Sequence, residues 1–358
     1  ETKYLNYIQM KRKVDILDEI VNNFEFSIKS YNKKFQSNHW LFNNKKKIKL
    51  FNKKNLINFR NNGLSEGMDD TFYSKRKSLK LLEKIKKECG EKFIQKYLLK
   101  TNLGNSKESL RYKSYFFTAH ELFHLKFVHE IKKKVTLNKK DIICEIGPAY
   151  GSMISKLIKL YGSKVILIDL PEANFISYFY LKNLFPKKKF FLTKNIKNNK
   201  ISKKDIIEND IIILCPWEKI PKIKINFFIN VRSMMEMTHE VIKEYFDLIQ
   251  DQITHNGYFL CVNRYYKDTV GYPVEMDNYP YDKHWKIIVS KTSWMQNHIH
   301  FLLTKRILNS KNDIVEELKK IRHLSYKLRL KDKLLIRRFT PNFIYKSYKK
   351  IKYSLIGK

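Results

Sequence analysis

Apolar and polar positions follow two different periods along this chain, and the change of period marks its organisation. From Asp141 to about residue 305, short apolar runs recur: Asp141–Ile146, Lys164–Ile168, Lys189–Leu192, Asp210–Leu214, Ile225–Asn230, Tyr258–Asn263, Lys286–Ser290 and Ile299–Thr304. Several are continuous, as expected for strands covered on both faces. Segments with helical spacing lie between them. Ser152–Tyr161 carries Ile154, Leu157, Ile158 and Tyr161 on one face, and Glu172–Phe185 follows the second strand. Thr238–Ile253 opens on an N-cap threonine, with Asn256-Gly257 as its stop signal. Strand–helix alternation predicts an α/β fold with a doubly wound, mostly parallel sheet. The last two strands are joined by Lys291–Asn297, so a hairpin there puts one antiparallel strand in the sheet.

The flanks read differently. Residues 1–110 are polar, rich in Lys and Asn, and helical in pattern, as in Val14-Ile16-Leu17-Ile20-Val21 and Leu79-Leu82-Ile85. Loop signals fall at Asn61-Asn62-Gly63 and Gly67-Met68-Asp69-Asp70. A helix over Tyr112–Lys134 is expected to lead into the central region, 111–305. In 306–358, Ile314, Leu318, Ile321, Leu324 and Leu328 recur at helical spacing, and twelve Lys/Arg face one Asp from Ile321 onward. That is a basic amphipathic tail.

The net charge of +37 points to an anionic partner, but Lys is spread along the whole chain together with abundant Asn and Ile, as in proteins from AT-rich genomes. Charge alone therefore does not make this a nucleic-acid protein. Cys89, Cys144, Cys215 and Cys261 form no C-x-x-C pair, which leaves zinc and redox motifs unsupported and fits a reducing, cytoplasmic setting. No apolar run approaches the ~20 residues of a spanning helix, and no secretory h-region is visible.

The chemistry concentrates in Asp141-Ile-Ile-Cys-Glu145-Ile-Gly147-Pro-Ala-Tyr-Gly151, where an apolar strand ends in an acid and a glycine loop opens a helix. Gly lets a ligand meet backbone, and the first helical turn offers free N–H groups to a carboxylate or phosphate. The next strand ends in Asp169, placed to accept hydrogen bonds from ribose hydroxyls. An adenosine-containing ligand follows. A dinucleotide site wants G-x-G-x-x-G, but Ala149 and Ser152 stand where the second and third glycines belong. The spacing E-x-G-x-x-x-G, with an acid 18 residues on, suits S-adenosylmethionine, which brings one carboxylate to the helix end.

Glu145-Ile-Gly147-Pro-Ala-Tyr-Gly151, Leu167-Ile-Asp169-Leu-Pro171-Glu172, Asn230-Val-Arg-Ser233-Met-Met-Glu236-Met237, Asn263-Arg264-Tyr265 and Tyr281-Asp282-Lys-His-Trp285 resemble the sugar O-methyltransferases of bacterial surface-polysaccharide clusters. The resemblance covers residues 110–305 well, the first hundred loosely and the tail hardly at all. Pro148-Ala149 departs from the small-residue pair usual there. The resemblance implies a class I, Rossmann-like methyltransferase fold, methyl transfer from S-adenosylmethionine to a sugar hydroxyl of a surface glycan or its precursor, and a cap in residues 1–110. It also implies that Gly147 and Gly151 line the methionine end, that Glu145 binds the amino group, that Asp169 holds the ribose and that Leu170 lies beside the adenine.

Cys215-Pro216-Trp217 is favoured over Leu192-Thr193 as the adenine-side strand end, with Asn230 closing the next strand. A poor nucleophile such as a sugar hydroxyl needs a general base, contributing ~10²–10⁴-fold. The candidates are Glu236, His239, Asp282 and His284; each also has a structural reading as a cap, a packed ring or a solvated side chain. Arg232 and Arg264 are candidate substrate contacts, as are Tyr112 and Tyr115 on one face of the expected helix. No spacing demands a metal, although several sugar methyltransferases use a divalent ion. His298 and His300 read as strand histidines. Leu214-Cys215-Pro216-Trp217 lacks the polar-Pro-Pro-aromatic loop of DNA amino-methyltransferases, which disfavours nucleic acid. An RNA or other small-molecule methyltransferase and a non-catalytic cofactor-binding partner are the rival readings. The basic tail adds the expectation of peripheral contact with anionic lipid at the inner membrane face.

Overall fold

The computed structural model describes residues 2–65, 73–196, 200–268, 270–294, 296–308 and 313–339. The loop expected at 67–70 and the tail segment 340–358 lie outside them. The chain divides into two compact units, Glu1–Phe35 with Trp40–Ile229, and Gln36–His39 with Asn230–Lys358.

The first unit opens with α1 (Thr2–Lys29), α2 (Asn38–Lys49), α3 (Lys53–Ile57), α4 (Lys75–Cys89) and α5 (Glu91–Tyr97). A hairpin, β1 (Leu110–Tyr112) and β2 (Tyr115–Phe117), precedes α6 (Ala119–Lys134). Then come β3 (Ile142–Ile146), α7 (Ser152–Tyr161), β4 (Lys164–Ile168), α8 (Pro171–Leu184), β5 (Phe190–Leu192), α9 (Lys203–Glu208), β6 (Ile211–Leu214) and β7 (Ile225–Val231). Their order in the sheet is β7-β3-β4-β6-β5. The pairs β3–β4, β4–β6 and β5–β6 are parallel. Strand order reverses direction at β3, which makes the carboxyl end of β3 a topological switch point, where open α/β sheets bind ligands.

The local sequence explains these elements. Val165–Leu167 and Ile211–Leu214 are fully buried β-rich runs. Gly162, left-handed at φ 71°, stops α7 and donates its N–H to Ile158. Pro171 starts α8, where its missing N–H costs nothing. α1 is fastened to α8 by Phe24, Phe51 and Phe175, with ring centroids 3.7–5.6 Å apart. Phe24 and Phe175 are buried and Phe51 half-buried; a ring fully removed from water contributes about 2 kcal/mol. Glu19 accepts a hydrogen bond from Tyr178 and pairs with Lys194 at 3.4 Å, and Asn23 accepts from the Lys194 N–H.

The helix expected over Tyr112–Lys134 is corrected. Its first turns are the β1–β2 hairpin, with Tyr112 opposite Tyr115 and a two-residue turn at Lys113-Ser114. Lys113 takes a left-handed φ of 53°, the conformation such tight turns need. The helix begins at Ala119 because Thr118 and Glu121 form a capping box. Tyr112 and Tyr115 thus face each other across a hairpin and do not share a helical face.

The second unit contains α10 (His239–Gln252), β8 (Ile253–Arg264), β9 (Tyr266–Lys267), β10 (Val274–Glu275), β11 (Trp285–Thr292), β12 (Ile299–Arg306) and α11 (Asp313–Phe339). Thr238 caps α10 as expected. Asn256-Gly257 falls inside β8, not at the helix end, and Asn256 (φ 65°) bends that strand. β12 is antiparallel to both β11 and β8. His300 is buried in a chain running from Glu317 through Ser290 and His300 to Tyr265 and Thr292. Ile314 and Ile321 of α11 are fully buried, whereas Leu324 is 38% exposed.

Candidate functional site

Parallel register builds the site. Ile146 lies beside Ile168, and Ile168 beside Leu214. The next residue in each strand, Gly147, Asp169 and Cys215, therefore emerges at one edge of the sheet. Hydrogen bonds tie the row together: Gly147 N–H to Ile168 at 2.9 Å, and Asp169 N–H to Leu214 at 3.2 Å. Because β6 lies beside β4 and β5 lies outside it, the loop next to Asp169 is Cys215-Pro216-Trp217 and not Leu192-Thr193.

The glycine loop winds left-handed at Gly147 (φ 71°), Ala149 (φ 54°) and Gly151 (φ 87°). Ala149 occupies a conformation that costs a non-glycine residue about 1–2 kcal/mol. Asp169 offsets this: its Oδ2 accepts the Ala149 N–H at 3.0 Å and its Oδ1 accepts the Leu170 N–H at 2.8 Å. Asp169 is thus a brace for the loop. At Gly151 a Cβ would stand 3.2 Å from Leu181 Cγ of α8. The glycine is needed there for its φ and for packing against α8, a reason different from close ligand approach. Tyr150 anchors the loop in the core between Phe59, His120 and Tyr180, and Arg60 lies 5.3 Å from its ring.

Glu145 lies beneath the loop, 2% exposed. Burial, then the charge of Asp169, pushes it up to about 8, against the pull of the Ile154 N–H and Lys156. Its Oε2 meets no hydrogen-bond partner. A buried carboxyl oxygen left in this way costs free energy until a donor arrives.

A second group of buried polar atoms lies beside Asp169; Trp217 stands among the sequence candidates and Glu172 within a resembling motif, whereas Tyr31 and Asn44 carry no sequence signal. Glu172, in the first turn of α8, is 4% exposed; its carboxylate makes no hydrogen bond of good geometry, and its own backbone N–H and the Asn44 side chain are its nearest donors. Asn44 of α2, 2% exposed, stands near it without a well-formed hydrogen bond from its Nδ2. The Tyr31 hydroxyl is buried with Asn44 as its nearest polar neighbour, the Trp217 Nε1 is buried without a hydrogen bond of good geometry, and the two rings lie 5.2 Å apart. Burial pushes Glu172 up to about 7, with Lys47 pulling the other way. The Cys215 thiol is fully buried, pushed up to about 12 by burial, and contacts Thr193, so Cys215 offers its backbone and not a reactive thiolate.

In the second unit, Asn230 is a locking residue. Its Oδ1 accepts from Asn263 Nδ2 at 2.9 Å and from the Met234 N–H at 3.2 Å. Glu236 is buried, pairs with Lys267 and lies 4.0 Å from His39. Burial lowers the pKa of Lys267 against the pull of Glu236, and the nearby charges of Arg264 and Arg232 act in the same direction as burial. Three sequence candidates, Glu236, Arg232 and Arg264, are therefore brought together with Lys267, which carried no sequence signal. Asp282 is clasped by both terminal nitrogens of Arg306 and accepts the His284 N–H. Burial would raise its pKa, but Arg306 and the His284 N–H hold it lower. His284 Nδ1 donates to the Leu308 carbonyl at 2.8 Å, and His239 Nε2 to Pro273 at 3.1 Å. Tyr112 lies under Lys86, 5.0 Å from its ring centre. Among the described residues no group of three or more His, Cys, Asp or Glu is placed to hold a metal, and no helix is long and apolar enough to cross a membrane.

No family model matches the chain, and no curated protein matches it. Solved structures similar to it include magnesium protoporphyrin IX methyltransferase from Synechocystis with bound S-adenosylmethionine (TM-score 0.38, 10% identity, 52% of this chain and 79% of that one). Another is geranyl diphosphate C-methyltransferase from Streptomyces coelicolor (TM-score 0.37, 11% identity, 53% and 78%). A third is the pyocyanin biosynthetic protein PhzM (TM-score 0.33, 7% identity), of which the chain spans about half, 54%.

Proposed function

We propose that this chain is an S-adenosylmethionine-dependent O-methyltransferase acting on a hydroxyl of a carbohydrate. The observation that carries the cofactor half is the brace: Asp169, at a strand end on the switch-point edge, holds a left-handed loop whose Glu145 is buried with an unbonded oxygen. These residues fit the cofactor. Glu145 would hold its amino group, the first turn of α7 its carboxylate, and Asp169 its ribose hydroxyls. The acceptor half is supported by the motif resemblance over Asn230–Met237, Asn263–Tyr265 and Tyr281–Trp285.

The bound cofactor supplies a methyl group on a sulfonium. Transfer is a direct displacement in which the carbon–sulfur bond breaks as the carbon–oxygen bond forms. The acceptor proton passes to a base among Glu236, His239, Asp282 and His284. Asp282 is the weakest of these on chemical grounds, since Arg306 neutralises it. His239 and His284 each use one ring nitrogen as a donor to a carbonyl, which leaves the other with its lone pair to take a proton.

Calorimetry with S-adenosylhomocysteine tests the cofactor half: micromolar binding lost by tenfold or more in Asp169→Ala is expected, and no binding by the intact chain refutes it. Radiolabel transfer from S-adenosylmethionine to glycan precursors tests the acceptor half. Label appearing in RNA instead would overturn the carbohydrate assignment.

A further inference from the structure

The ends of β7 and β8 gather three cations about Glu236. The Arg232 N–H donates to the Val262 carbonyl at 2.7 Å, which sets Arg232 beside the closing residues of β8, the last of them Arg264. Lys267 follows in β9, and Arg232 and Arg264 both lie near enough to act on its charge. The carboxylate of Glu236 is already engaged, by Lys267 and by His39 at 4.0 Å.

Arg232 is the exception in this group. Among the described residues no carboxylate pairs with it, and its Nε is buried without a hydrogen-bond acceptor. The residue as a whole is not closed off: Arg232 and Arg264 are both half-buried. The Arg232 backbone takes a left-handed φ of 63°, which residues with a side chain rarely adopt. A glycine would suit that backbone better, and the fold nonetheless keeps a guanidinium there.

Charges drawn out of water are normally paired within the fold. The partner missing at Arg232 is an anion. Which anion follows from the number of cations. A carboxylate has two oxygens and a single charge, and one guanidinium fork satisfies it. A phosphate group offers more acceptor oxygens and more charge, which suits a guanidinium acting together with Lys267 and Arg264. A neutral sugar brings hydroxyls only and leaves Arg232 uncompensated.

We propose that Arg232, with Lys267 and Arg264, grips a phosphate carried by the acceptor, so that the methylated sugar is a phosphorylated precursor and not a finished neutral glycan. This rests on the reading above that Glu236 and its neighbours receive the acceptor, and it adds the group by which the acceptor is held. Binding energy from a group that takes no part in the transfer then orients the sugar hydroxyl.

Inorganic pyrophosphate, titrated into the full chain by calorimetry at fixed salt, probes the grip without the sugar. Arg232→Gly removes the guanidinium and suits the left-handed backbone, so the fold should survive, as the far-UV spectrum and the affinity for S-adenosylhomocysteine report. Lys203→Gln, on an exposed position of α9, controls for the loss of one charge from a chain of net charge +37. Pyrophosphate binding is expected to weaken by about tenfold or more in Arg232→Gly and by less than about twofold in Lys203→Gln, the loss of charge-assisted hydrogen bonds against that of a screened surface charge. Arg232→Lys, which keeps the charge and loses the fork, should fall between them. Equal weakening in Arg232→Gly and Lys203→Gln overturns the site.

Radiolabel transfer then compares sugar phosphates and nucleoside-diphosphate sugars with the matching neutral sugars and uronic acids. Label confined to phosphate-bearing acceptors, with KM raised by about tenfold or more in Arg232→Gly, supports the proposal and shows which kind of phosphate is held. Label entering a neutral sugar or a uronic acid as readily overturns it. If S-adenosylhomocysteine binds and the pyrophosphate grip ignores Arg232, this inference falls alone and the methyltransferase reading stands. If the wild-type chain does not bind S-adenosylhomocysteine, that reading falls and takes this one with it.

Discussion

Replacing Glu145 by glutamine asks whether the carboxyl beneath the glycine loop is held neutral. Burial, reinforced by Asp169, raises it from an ordinary 4.5 to about 8. As pH climbs above 4.5 the unfolded chain sheds this proton while the folded chain keeps it. The group's contribution to stability is therefore whole below pH 4.5, falls as pH rises, and is gone once the folded carboxyl ionises near pH 8. At about 1.4 kcal/mol per pH unit, the interval from 4.5 to 7 amounts to roughly 3 kcal/mol. Glutamine has no proton to lose. Glu145→Gln should match the wild type near pH 4.5 and exceed it by roughly 3 kcal/mol at pH 7, about 4 °C in Tm for a chain of this size. Thermal melts from pH 5 to 8 measure the divergence. Wild-type and variant curves that stay parallel across that range refute the reasoning. A cationic amino group bound beside Glu145 would drive its proton off, so calorimetry at pH 7 in buffers of different ionisation enthalpy should show proton release on S-adenosylhomocysteine binding by the wild type and none by the variant.

Gly151→Ala should cost about 1–3 kcal/mol in urea unfolding, since it combines a left-handed φ with a 3.2 Å approach to Leu181; a change under about 0.5 kcal/mol would show that the loop relaxes freely. Asp169→Asn keeps one oxygen for a backbone N–H but removes the charge that repels Glu145; it should move the proton-release pH of Glu145 downward, and an unmoved profile would show that Asp169 does not act on it. Arg306→Met should destabilise the second unit by about 1–3 kcal/mol through the clasp it loses on Asp282. If that variant keeps its kcat while Glu236→Gln loses about a hundredfold or more, the base is Glu236 and not Asp282. Deleting residues 331–358 should weaken binding to anionic vesicles without changing S-adenosylhomocysteine affinity, and equal vesicle binding removes the tail from that role.

The sheet was legible because Lys164–Ile168 and Ile211–Leu214 are uninterrupted β-rich runs, with a period that no helix of that length would need. The glycine loop was legible in outline, but the reason for Gly151 was not: Leu181 lies thirty positions on and is brought to it only by the turn of α8. The hairpin at Tyr112–Tyr115 was missed because Lys113 adopts its left-handed turn without the Gly or Asn that advertises one, although Thr118-x-x-Glu121 did mark the true helix start. The bonds of Asn230 to Asn263 and the Met234 N–H were not legible, because that pairing depends on strand order. Trp217 was legible as a strand-end residue and Glu172 as part of a motif, but Tyr31 and Asn44 were not, since they lie more than a hundred positions away and reach this edge only through the packing of the N-terminal helices.

Phe24, Phe51 and Phe175 form a rivet between the N-terminal helices and α8. A fragment trimmed to the strand-and-helix core would expose Phe175, and it would also lose the partner that positions the start of α8, where Glu172 stands. The amino-terminal segment therefore cannot be exchanged like a cassette. Any replacement segment would have to bring its own aromatic rivet, and without one the start of α8, and Glu172 with it, would lose its support.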